Sequence, residues 1–402
     1  MVVKVSKPEI NVREKISELD NPSGIAGQAM LAAETPQEQF NLIGAGRRNM
    51  IINGDMRIDQ RNGGSSITNT TNNLFPLDRW FINLSVDYNS SVSSGQNLDS
   101  LAPPPGFDKY IGVKIDSGTA APAAPFLSIR QIIEGNNITH LDYGKSTAKD
   151  ITISFWARTN HPGIYAVAVR GGTTQTACVT EFSVDSADTW QHISVIIPGQ
   201  KDTTTTWPVA HFGEGLVVNI GLGSFQGTYS SSTLDQWVTG GFTGSTTQTQ
   251  DFAQTTGNTF YVTGVQFEVG KVATPFEHRS YGEELASCQR YYVDFSAHQS
   301  GQSYEKLGMF QGANNTTSGF TYTQFPVTMR TDPSLVVSGT ASDYGIYQGS
   351  DIVCTAVPTL NTNCTRHNGV CSLTATGLDA KGSGIFQEHN NSGALLAFSA
   401  EL

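Results

Sequence analysis

Short runs of alternating apolar and polar residues cover most of this chain, and clusters of Gly, Asn, Ser and Thr separate them. The clearest run opens the segment 258–292. Its apolar positions are Phe260, Val262, Val265, Phe267 and Val269. A period of two predicts a β-strand with one face in a core, and Gly264 interrupts the alternation where a β-bulge would fit.

Similar runs predict strands along the chain before this one. They lie at Met50–Ile58, Leu77–Ile82, Tyr110–Ile115, Leu127–Ile133, Ile151–Arg158, Tyr165–Arg170, Cys178–Val184, His192–Ile197 and Leu216–Leu222. Their regular spacing, with no long helix between them, predicts an antiparallel jelly-roll sandwich of two sheets. The polar stretch Ser224–Gln254 is predicted to form extended surface loops.

A second set of alternating runs predicts a smaller C-terminal β domain. Its strands are expected at Tyr291–Phe295, Leu307–Phe310, Gly319–Val327, Ser334–Val337, Asp351–Val353, Val370–Ala375 and Gly393–Leu402. The modest apolar content of this domain is compatible with a core that neighbouring chains complete. We therefore predict an all-β chain with a jelly roll over residues 47–285 and a tip domain over residues 286–402.

The joint between these domains carries charged residues. A short helical or turn segment is predicted to begin at Glu283 and Glu284, where salt bridging or helix capping is expected of the two carboxylates. We interpret Glu277, His278, Arg279 and Glu283 as hinge residues.

Residues 1–46 differ from the rest. Val12, Ile16 and Leu19 share one face of a short amphipathic helix, and a second helix-competent segment runs from Ile25 to Ala33. Segments this short are not stable alone in water. They form either a disordered leader or an arm that orders against a partner. The apolar residues that an arm would use are Ile10, Val12, Ile16, Leu19, Ile25, Phe40 and Leu42.

The charge balance excludes some partners. The chain has 24 Lys and Arg against 35 Asp and Glu, which gives a net charge of −11. No basic block stands out, so nucleic acid is not an expected partner. No apolar run reaches the length of a membrane span, and the N-terminus lacks the apolar core of a signal peptide, so neither membrane insertion nor signal-directed export is expected.

Candidate metal ligands are few. Three of the five cysteines, Cys354, Cys364 and Cys371, lie close together with His367 among them. A zinc site would have cysteines paired at tighter spacing. Free and mostly buried thiols are therefore predicted, and no cofactor is expected.

Catalytic signatures are also lacking. His140 with Asp142, and His161, are isolated in the sequence, and the Gly-x-Ser-x-Gly nucleophile unit is absent. Glu283 and Glu284 are adjacent, which does not define the separated pair of carboxyl groups that hydrolyses a glycosidic bond. We predict that the chain is not an enzyme.

The five tryptophans fall into two groups. Trp80, Trp156 and Trp190 lie in or beside alternating runs and are predicted to pack in the core. Trp207 and Trp237 lie in polar stretches. Each of these two rings could stack on a sugar or meet a neighbouring subunit, or it could simply anchor its loop.

Several segments resemble known proteins when they are taken in order. The opening Asn49–Arg61 with Leu77-Asp78-Arg79-Trp80, the interior Ile153–Arg158 and Trp190-Gln191-His192, and the closing Gly264–Glu268 and Cys288–Tyr292 resemble a module of bacteriophage tail-fibre and related virion proteins. The arm is similar to leaders of fibres from marine, cyanobacterium-infecting phages. The module is also similar to jelly-roll carbohydrate-binding modules, whose structural calcium has carboxylate ligands that Thr263-Gly264 replace here; Asp55 would be the remaining one.

The resemblance implies a tail fibre of the virion, made in the host cytoplasm without a cleaved signal. It would be a homotrimer whose arm docks on an adaptor, nozzle or portal-proximal tail protein and whose β domains contact host surface polysaccharide. The alternatives are a capsid-surface knob or decoration protein without receptor binding, and a glycan-degrading tailspike.

Overall fold

The computed structural model describes residues 48–69, 74–85, 90–171, 176–203, 207, 211–248, 252–296 and 303–402, together with residue 32. These residues form two β domains that a short helix joins, as the all-β prediction required. Residues between 51 and 267 build the main core of the first domain, and residues between 293 and 400 build that of the second.

The first domain consists of short and medium strands with a few single helical turns. The strands are β1 (Ile67–Asn69), β2 (Leu74–Leu77), β3 (Trp80–Leu84), β4 (Ser91–Gln96), β5 (Ile111–Ser117), β6 (Leu127–Glu134), β7 (Ile151–Thr159), β8 (Gly163–Gly171), β9 (Thr176–Val184), β10 (Gln191–Ile197), β11 (Glu214–Gly221), β12 (Ser230–Ser231), β13 (Trp237–Thr239), β14 (Gly244–Ser245) and β15 (Thr259–Val269). The 3₁₀ turns are Leu98–Ser100, Gly135–Asn137, Thr139–Leu141, Gly227–Tyr229 and Phe252–Gln254.

Two antiparallel sheets make the sandwich. Sheet A has the order β1-β4-β5-β15-β7-β10, and sheet B has the order β13-β9-β8-β11-β6-β3-β2. The chain crosses between the sheets from β5 to β6, from β6 to β7 and from β7 to β8, and again on either side of β10. This repeated crossing is a jelly-roll path, as predicted. Apolar side chains from the inner faces of both sheets fill the core between them.

Strand β15 lies in the centre of sheet A, between β5 and β7. Its predicted inward residues, among them Phe260 and Phe267, are in the core, and the register with β7 shifts between Thr263 and Gln266. Gly264 has a φ of 64° at this shift, which confirms the predicted bulge. The predicted face is in the core, and loops bury the outer side of the strand as well. The Tyr261 hydroxyl, for example, donates to Asp99 at 2.8 Å.

The predicted strand at Met50–Ile58 is instead an irregular segment that is held against β15. The Asn49 side chain donates to the Val265 carbonyl at 2.9 Å and accepts from the Phe267 N–H at 3.0 Å. The Val265 N–H in turn donates to Gly54. The opening and closing segments of the resemblance therefore lie side by side. These side-chain bonds replace the ladder that a strand would have formed.

Two other predictions in this domain need correction. Leu77–Ile82 is not one strand, because Arg79 has a φ of 69° and the chain turns there from β2 into its partner β3. Ser224–Gln254 is not only surface loop, since it supplies β13 to the edge of sheet B and a parallel pair, β12 with β14.

The C-terminal domain has two antiparallel sheets and one 3₁₀ turn, Ala341–Asp343. Its strands are β16 (Tyr292–Asp294), β17 (Lys306–Gly312), β18 (Ser318–Gln324), β19 (Ser334–Val337), β20 (Tyr344–Tyr347), β21 (Asp351–Val353), β22 (Thr359–Leu360), β23 (Asn368–Thr374), β24 (Ser383–Glu388) and β25 (Leu396–Ser399). One sheet has the order β16-β25-β19, and the other has the order β21-β20-β24-β17-β18-β23-β22. Strands β20, β22 and β24 were not predicted.

Helix α1 (Tyr281–Gln289) connects the domains. It begins with a capping box in which the Ser280 side chain accepts from the Glu283 N–H while Glu283 accepts from the Ser280 N–H. Glu284 pairs with Arg279 at 3.4 Å. Capping and salt bridging by the two glutamates are thereby confirmed.

The joint is packed and hydrogen-bonded. The Arg79 guanidinium lies 3.6 Å from the centre of the Tyr291 ring and pairs with Glu401. The Glu134 carboxylate accepts hydrogen bonds from Arg290 at 2.6 Å and from the Tyr291 hydroxyl at 2.8 Å. These contacts hold the two domains together across the segment that was predicted to act as a hinge.

The hinge prediction is therefore wrong. The Glu277 carboxylate accepts from the Asn49 N–H at 2.7 Å, and Arg279 donates to the Ile51 carbonyl at 3.1 Å. His278 packs against the ring of Phe276. Residues held by such contacts cannot act as a free pivot.

Candidate functional site

An aromatic groove lies on the outer face of sheet A. Trp156 on β7 and His192 on β10 are directly opposed in register, and their ring centres are 5.3 Å apart. Side chains on these strands alternate between faces, so the neighbours of Trp156, Phe155 and Ala157, point into the core while the indole points outward. The indole is half-buried and the imidazole is exposed. The prediction that Trp156 packs in the core was wrong for this reason.

Two loops complete the groove. Phe107 precedes β5, while Phe276 and His278 follow β15, and these three rings lie within 4.9–5.4 Å of one another. Phe107 packs over Gly264, where a Cβ atom would come within 2.6 Å of its ring. The glycine at the bulge therefore lets the phenylalanine sit low in the groove wall. The groove is open to solvent and has a volume of about 460 Å³.

The polar groups of the groove are few and uncharged. Ser154 lies two residues before Trp156 on the same face of β7. It lines the groove and is paired with Ser194 on β10. The His192 ring is exposed but partly desolvated by its neighbours, and this partial desolvation lowers its pKa below the ordinary value of 6.5, so the neutral ring dominates at neutral pH. A neutral imidazole donates a hydrogen bond from one nitrogen and accepts one at the other. Aromatic walls with a small number of such groups are typical of small-ligand sites.

The outer face of sheet B is covered at both ends. Leu234 and Phe242, from the segment after β11, pack on the small side chains of β8 and β9. At the other end Leu402 packs against Phe81 and Ile132. Sheet A in contrast has an accessible outer side at β10, where His192, Ser194 and Ile196 are exposed.

Between these covers, Arg130 is buried and donates to Asn219 at 2.6 Å. Burial, together with the neighbouring charge of Arg170, lowers the pKa of the Arg130 guanidinium to about 9. The remaining outer face of sheet B is thus polar, in contrast to the aromatic groove of sheet A.

Trp207 and Trp237 form a compact cluster with Tyr143. The three ring centres lie 5.4–5.5 Å apart in edge-to-face geometry. Only 8% of Trp207 is exposed, and the Trp237 indole N–H donates to the Pro198 carbonyl at 2.6 Å. This is the geometry of loop anchors. A glycan or subunit contact through these two rings stays a prediction.

The remaining tryptophans differ from each other. Trp80 is fully buried in the core, as predicted, and its indole donates to the Asn53 carbonyl at 2.8 Å. Trp190 is half-buried outside the core, with its indole on the Ala102 carbonyl at 2.9 Å and its ring 5.6 Å from Tyr110. The prediction of core packing was wrong for Trp190, because it lies just before β10 and anchors a loop.

The candidate metal ligands make other contacts. All five cysteines are free, four of them are buried, and the Cys364 thiol faces the Asn368 carbonyl, so the prediction of free and mostly buried thiols is confirmed. Asp55 pairs with Arg57. In the described part of the chain, no three His, Cys, Asp or Glu residues come together as metal ligands would.

The isolated histidines stay apart from the groove. His140 lines a cavity of about 300 Å³ near Arg48, Arg279 and Arg290, and burial lowers its pKa. Asp142, two residues later in the sequence, instead accepts a hydrogen bond from Lys145 at 2.8 Å. The predicted attachment residues Ile10, Val12, Ile16, Leu19, Ile25, Phe40 and Leu42 lie outside the described residues. No helix in the described part of the chain has the length and apolar character to cross a membrane.

Sequence reasoning missed the groove residues Phe107, Trp156, His192, Phe276 and His278. A signal was present in the pair Trp156 and His192, since both occupy polar positions of otherwise alternating strands. An aromatic residue on the outward register of a strand is a candidate for binding, because burial alone does not require it there.

No protein-family model matches the sequence, and no curated protein matches it. The solved structures that are similar in fold include two carbohydrate-binding proteins and one bacteriophage tailspike. A putative sugar binding protein from Bacteroides thetaiotaomicron is 12% identical, with a TM-score of 0.31, over 56% of this chain and 100% of its own. A family 11 carbohydrate-binding module of a cellulosomal cellulase of Clostridium thermocellum is 11% identical, with a TM-score of 0.26, over 53% of this chain and 99% of its own.

The third is the enzymatically active domain of tailspike protein 4 of bacteriophage CBA120, which is 10% identical with a TM-score of 0.28. The match covers 55% of this chain but only 21% of the tailspike structure. At such identities and TM-scores, the function of this chain has to be argued from its own residues.

Proposed function

We propose that this chain is a non-enzymatic attachment protein of a bacteriophage tail fibre that binds host surface glycans through its jelly roll. The aromatic groove of sheet A carries this proposal. It combines outward-facing rings on two adjacent strands with two loops that close around them. The sequence segments that resemble tail-fibre modules supply the biological setting.

The groove suits a sugar chemically. The apolar C–H face of a pyranose packs on an aromatic ring, whose face carries partial negative charge. Trp156 supplies the large ring, and the neutral His192 can exchange hydrogen bonds with hydroxyl groups. Each contact of this kind is weak, and a homotrimer that presents three grooves would gain through avidity.

The composition of the groove supports binding rather than hydrolysis. Most glycosidases require two carboxyl groups beside the scissile bond. Among the described residues that line the groove there is no aspartate and no glutamate. A glycan-degrading tailspike is accordingly the less favoured alternative.

The virion assignment rests on the resemblance. In this proposal residues 1–46 dock on an adaptor, nozzle or portal-proximal protein of the tail, using the seven apolar residues named above. Deletion of residues 1–46 should leave a folded trimer that no longer joins particles. Incorporation of the truncated protein into virions would contradict the role of the arm.

Glycan binding is tested on an array of bacterial surface polysaccharides with the purified full chain. The wild type should bind at least one polysaccharide, and Trp156→Ala/His192→Ala should lose that binding. Failure of the wild type to bind, or equal binding by the variant, would count against the groove. A reducing-end assay on the bound polysaccharide should detect no released sugar.

Immunogold labelling of intact particles separates the tail fibre from the capsid-surface alternative. Label at the tail is expected. Label on the head would favour a capsid knob or decoration protein that does not bind a receptor.

A further inference from the structure

Apolar side chains form a continuous row on the outer face of the seven-stranded sheet of the C-terminal domain. The row crosses five neighbouring strands at directly opposed positions, in the order Tyr347, Ile385, Met309, Tyr322 and Val370. We call these five residues the outer row. Their sequence neighbours, such as Phe310, Phe386 and Cys371, point to the opposite side and form the domain core.

The outer row is accessible to solvent. Met309 is 64% exposed, Tyr322 is 53% exposed and Tyr347 is 45% exposed, while Ile385 and Val370 are half-buried. Phe320, beside the row, is 45% exposed. Exposed apolar side chains scattered singly are ordinary on a protein surface, but a contiguous row of this kind marks a contact surface.

We infer that this face packs against a neighbouring copy of this chain and forms the subunit interface of the proposed homotrimer. The first reason is charge. The chain has a net charge of −11, and copies of it repel each other less at a contact surface that has no net charge. The outer row carries no charge. Lys306 and Asp351, which lie on the same face, have opposite signs and both bond to Gln387.

The second reason is area. The seven strands of the sheet hold 36 residues, and at about 3.4 Å per residue and about 4.8 Å between strands they give a flat face of roughly 600 Å². Standard protein interfaces bury about 800 Å² per partner. The third reason is composition, because Met, Tyr and Phe are enriched at the centres of interfaces while charged residues are depleted there.

A neighbouring copy would also complete the packing of this domain. Its buried core lies between the two sheets, and the outer face of the larger sheet has no described element across it. Three copies around a threefold axis, each with this sheet turned towards the axis, would bury their three outer rows against one another. The inference rests on the homotrimer of the proposed function but does not depend on the glycan groove.

Light scattering after size exclusion tests the interface. One chain has a mass of 43.2 kDa, and the wild type should have three times that mass. The variant Met309→Glu/Phe320→Glu should have the mass of one chain, because like charges would face each other across the interface. The new carboxylates are not opposed to each other or to another acid within the sheet, so the fold should be kept. The matched control, Ile196→Glu/Val272→Glu, puts two charges on exposed positions of the jelly roll and should leave the mass unchanged.

A second measurement needs no variant. Oxidation of Met309 by hydrogen peroxide should be at least about tenfold slower in the native protein than in concentrated urea, because the interface covers the thioether. Oxidation at nearly equal rates would overturn the inference. A wild type with the mass of one chain would overturn both this interface and the homotrimer, whereas a trimer that persists in Met309→Glu/Phe320→Glu would overturn the interface alone.

Discussion

The rings of Trp156 on β7 and His192 on β10 are in edge-to-face contact on the outer side of sheet A, and their centres are 5.3 Å apart. The strand register alone brings them together, since the two positions are 36 residues apart in the chain and directly opposed in the sheet. Both side chains can therefore be changed without removing a residue from the core.

Replacing Trp156 with alanine should weaken glycan binding by about tenfold or more, because the stacked ring contributes roughly 1.5 kcal/mol or more through stacking and apolar contact. The stability of the fold should change little. Affinity electrophoresis in gels that contain the bound polysaccharide measures the loss. Trp190→Ala is the matched control, since Trp190 is also half-buried and packs on Tyr110 but does not line the groove. An equal loss in both variants would contradict the assignment.

Replacing Gly264 with alanine should destabilise the jelly roll by about 1–3 kcal/mol. The residue has a φ of 64°, and the new methyl group would overlap the Phe107 ring. Displacement of Phe107 should also weaken glycan binding. Urea denaturation gives the stability change. In the control Gly282→Ala the new methyl group meets no atom within 4 Å, and the helix should gain up to about 1 kcal/mol. A neutral effect at Gly264 would mean that the groove wall is not shaped by this bulge.

Asp78 should make folding stability depend on pH. Burial raises the pKa of this carboxyl from 3.8 to about 7, although Arg61 lies 3.7 Å away. The folded state therefore binds more protons than the unfolded state between about pH 4 and pH 7, and stability falls as pH rises through this window. Above pH 7 the penalty is at most about 4 kcal/mol, at 1.4 kcal/mol for each pKa unit.

The variant Asp78→Asn should remove most of this decline. Unfolding free energies of both proteins at pH 5 and pH 8 provide the test, and the advantage of the variant should be larger at pH 8. If the unfolding free energies of the wild type and the variant change by the same amount between pH 5 and pH 8, Asp78 is ionised throughout this range and the prediction is wrong.

Breaking the pair of Arg79 and Glu401 should be costly. Glu401→Gln leaves the buried Arg79 charge without its counter-ion and should destabilise the protein by about 3–5 kcal/mol. Arg79→Met should cost less, because Glu401 still pairs with Arg61 at 2.7 Å. The double variant should cost much less than the sum, as a double-mutant cycle with denaturant would reveal. Lys114→Ala, which breaks an exposed pair with Asp99, should cost less than about 1 kcal/mol. Additive effects of the two buried changes would contradict direct coupling.

The sequence predicted the fold best where side-chain alternation is strict. Strands β6 to β11 and β15 were found almost at their observed bounds, because the inward residues of each repeat every second position. Strand β20 was missed, since Gly345 dilutes a run of only four residues. The irregular path of Met50–Ile58 was missed too, because the Asn49 side chain bonds to a strand more than 200 residues later.

The groove and the joint were not predictable in the same way. Whether Trp156 points to the core or to solvent depends on a register shift of one residue, and the walls of its groove come from two distant loops. The joint depends on Arg79 meeting Tyr291, which no local pattern encodes. The charged residues between the two domains suggested a hinge when only the sequence was considered. In the structure they form ion pairs and hydrogen bonds.

The packed joint has a mechanical consequence. A pull or twist applied to the C-terminal domain reaches the jelly roll through the Arg79 and Arg290 ion pairs at the same time as through the backbone. Contacts that share a force in parallel resist it better than a single chain segment does. A force applied to either domain would then move the two domains together as one body.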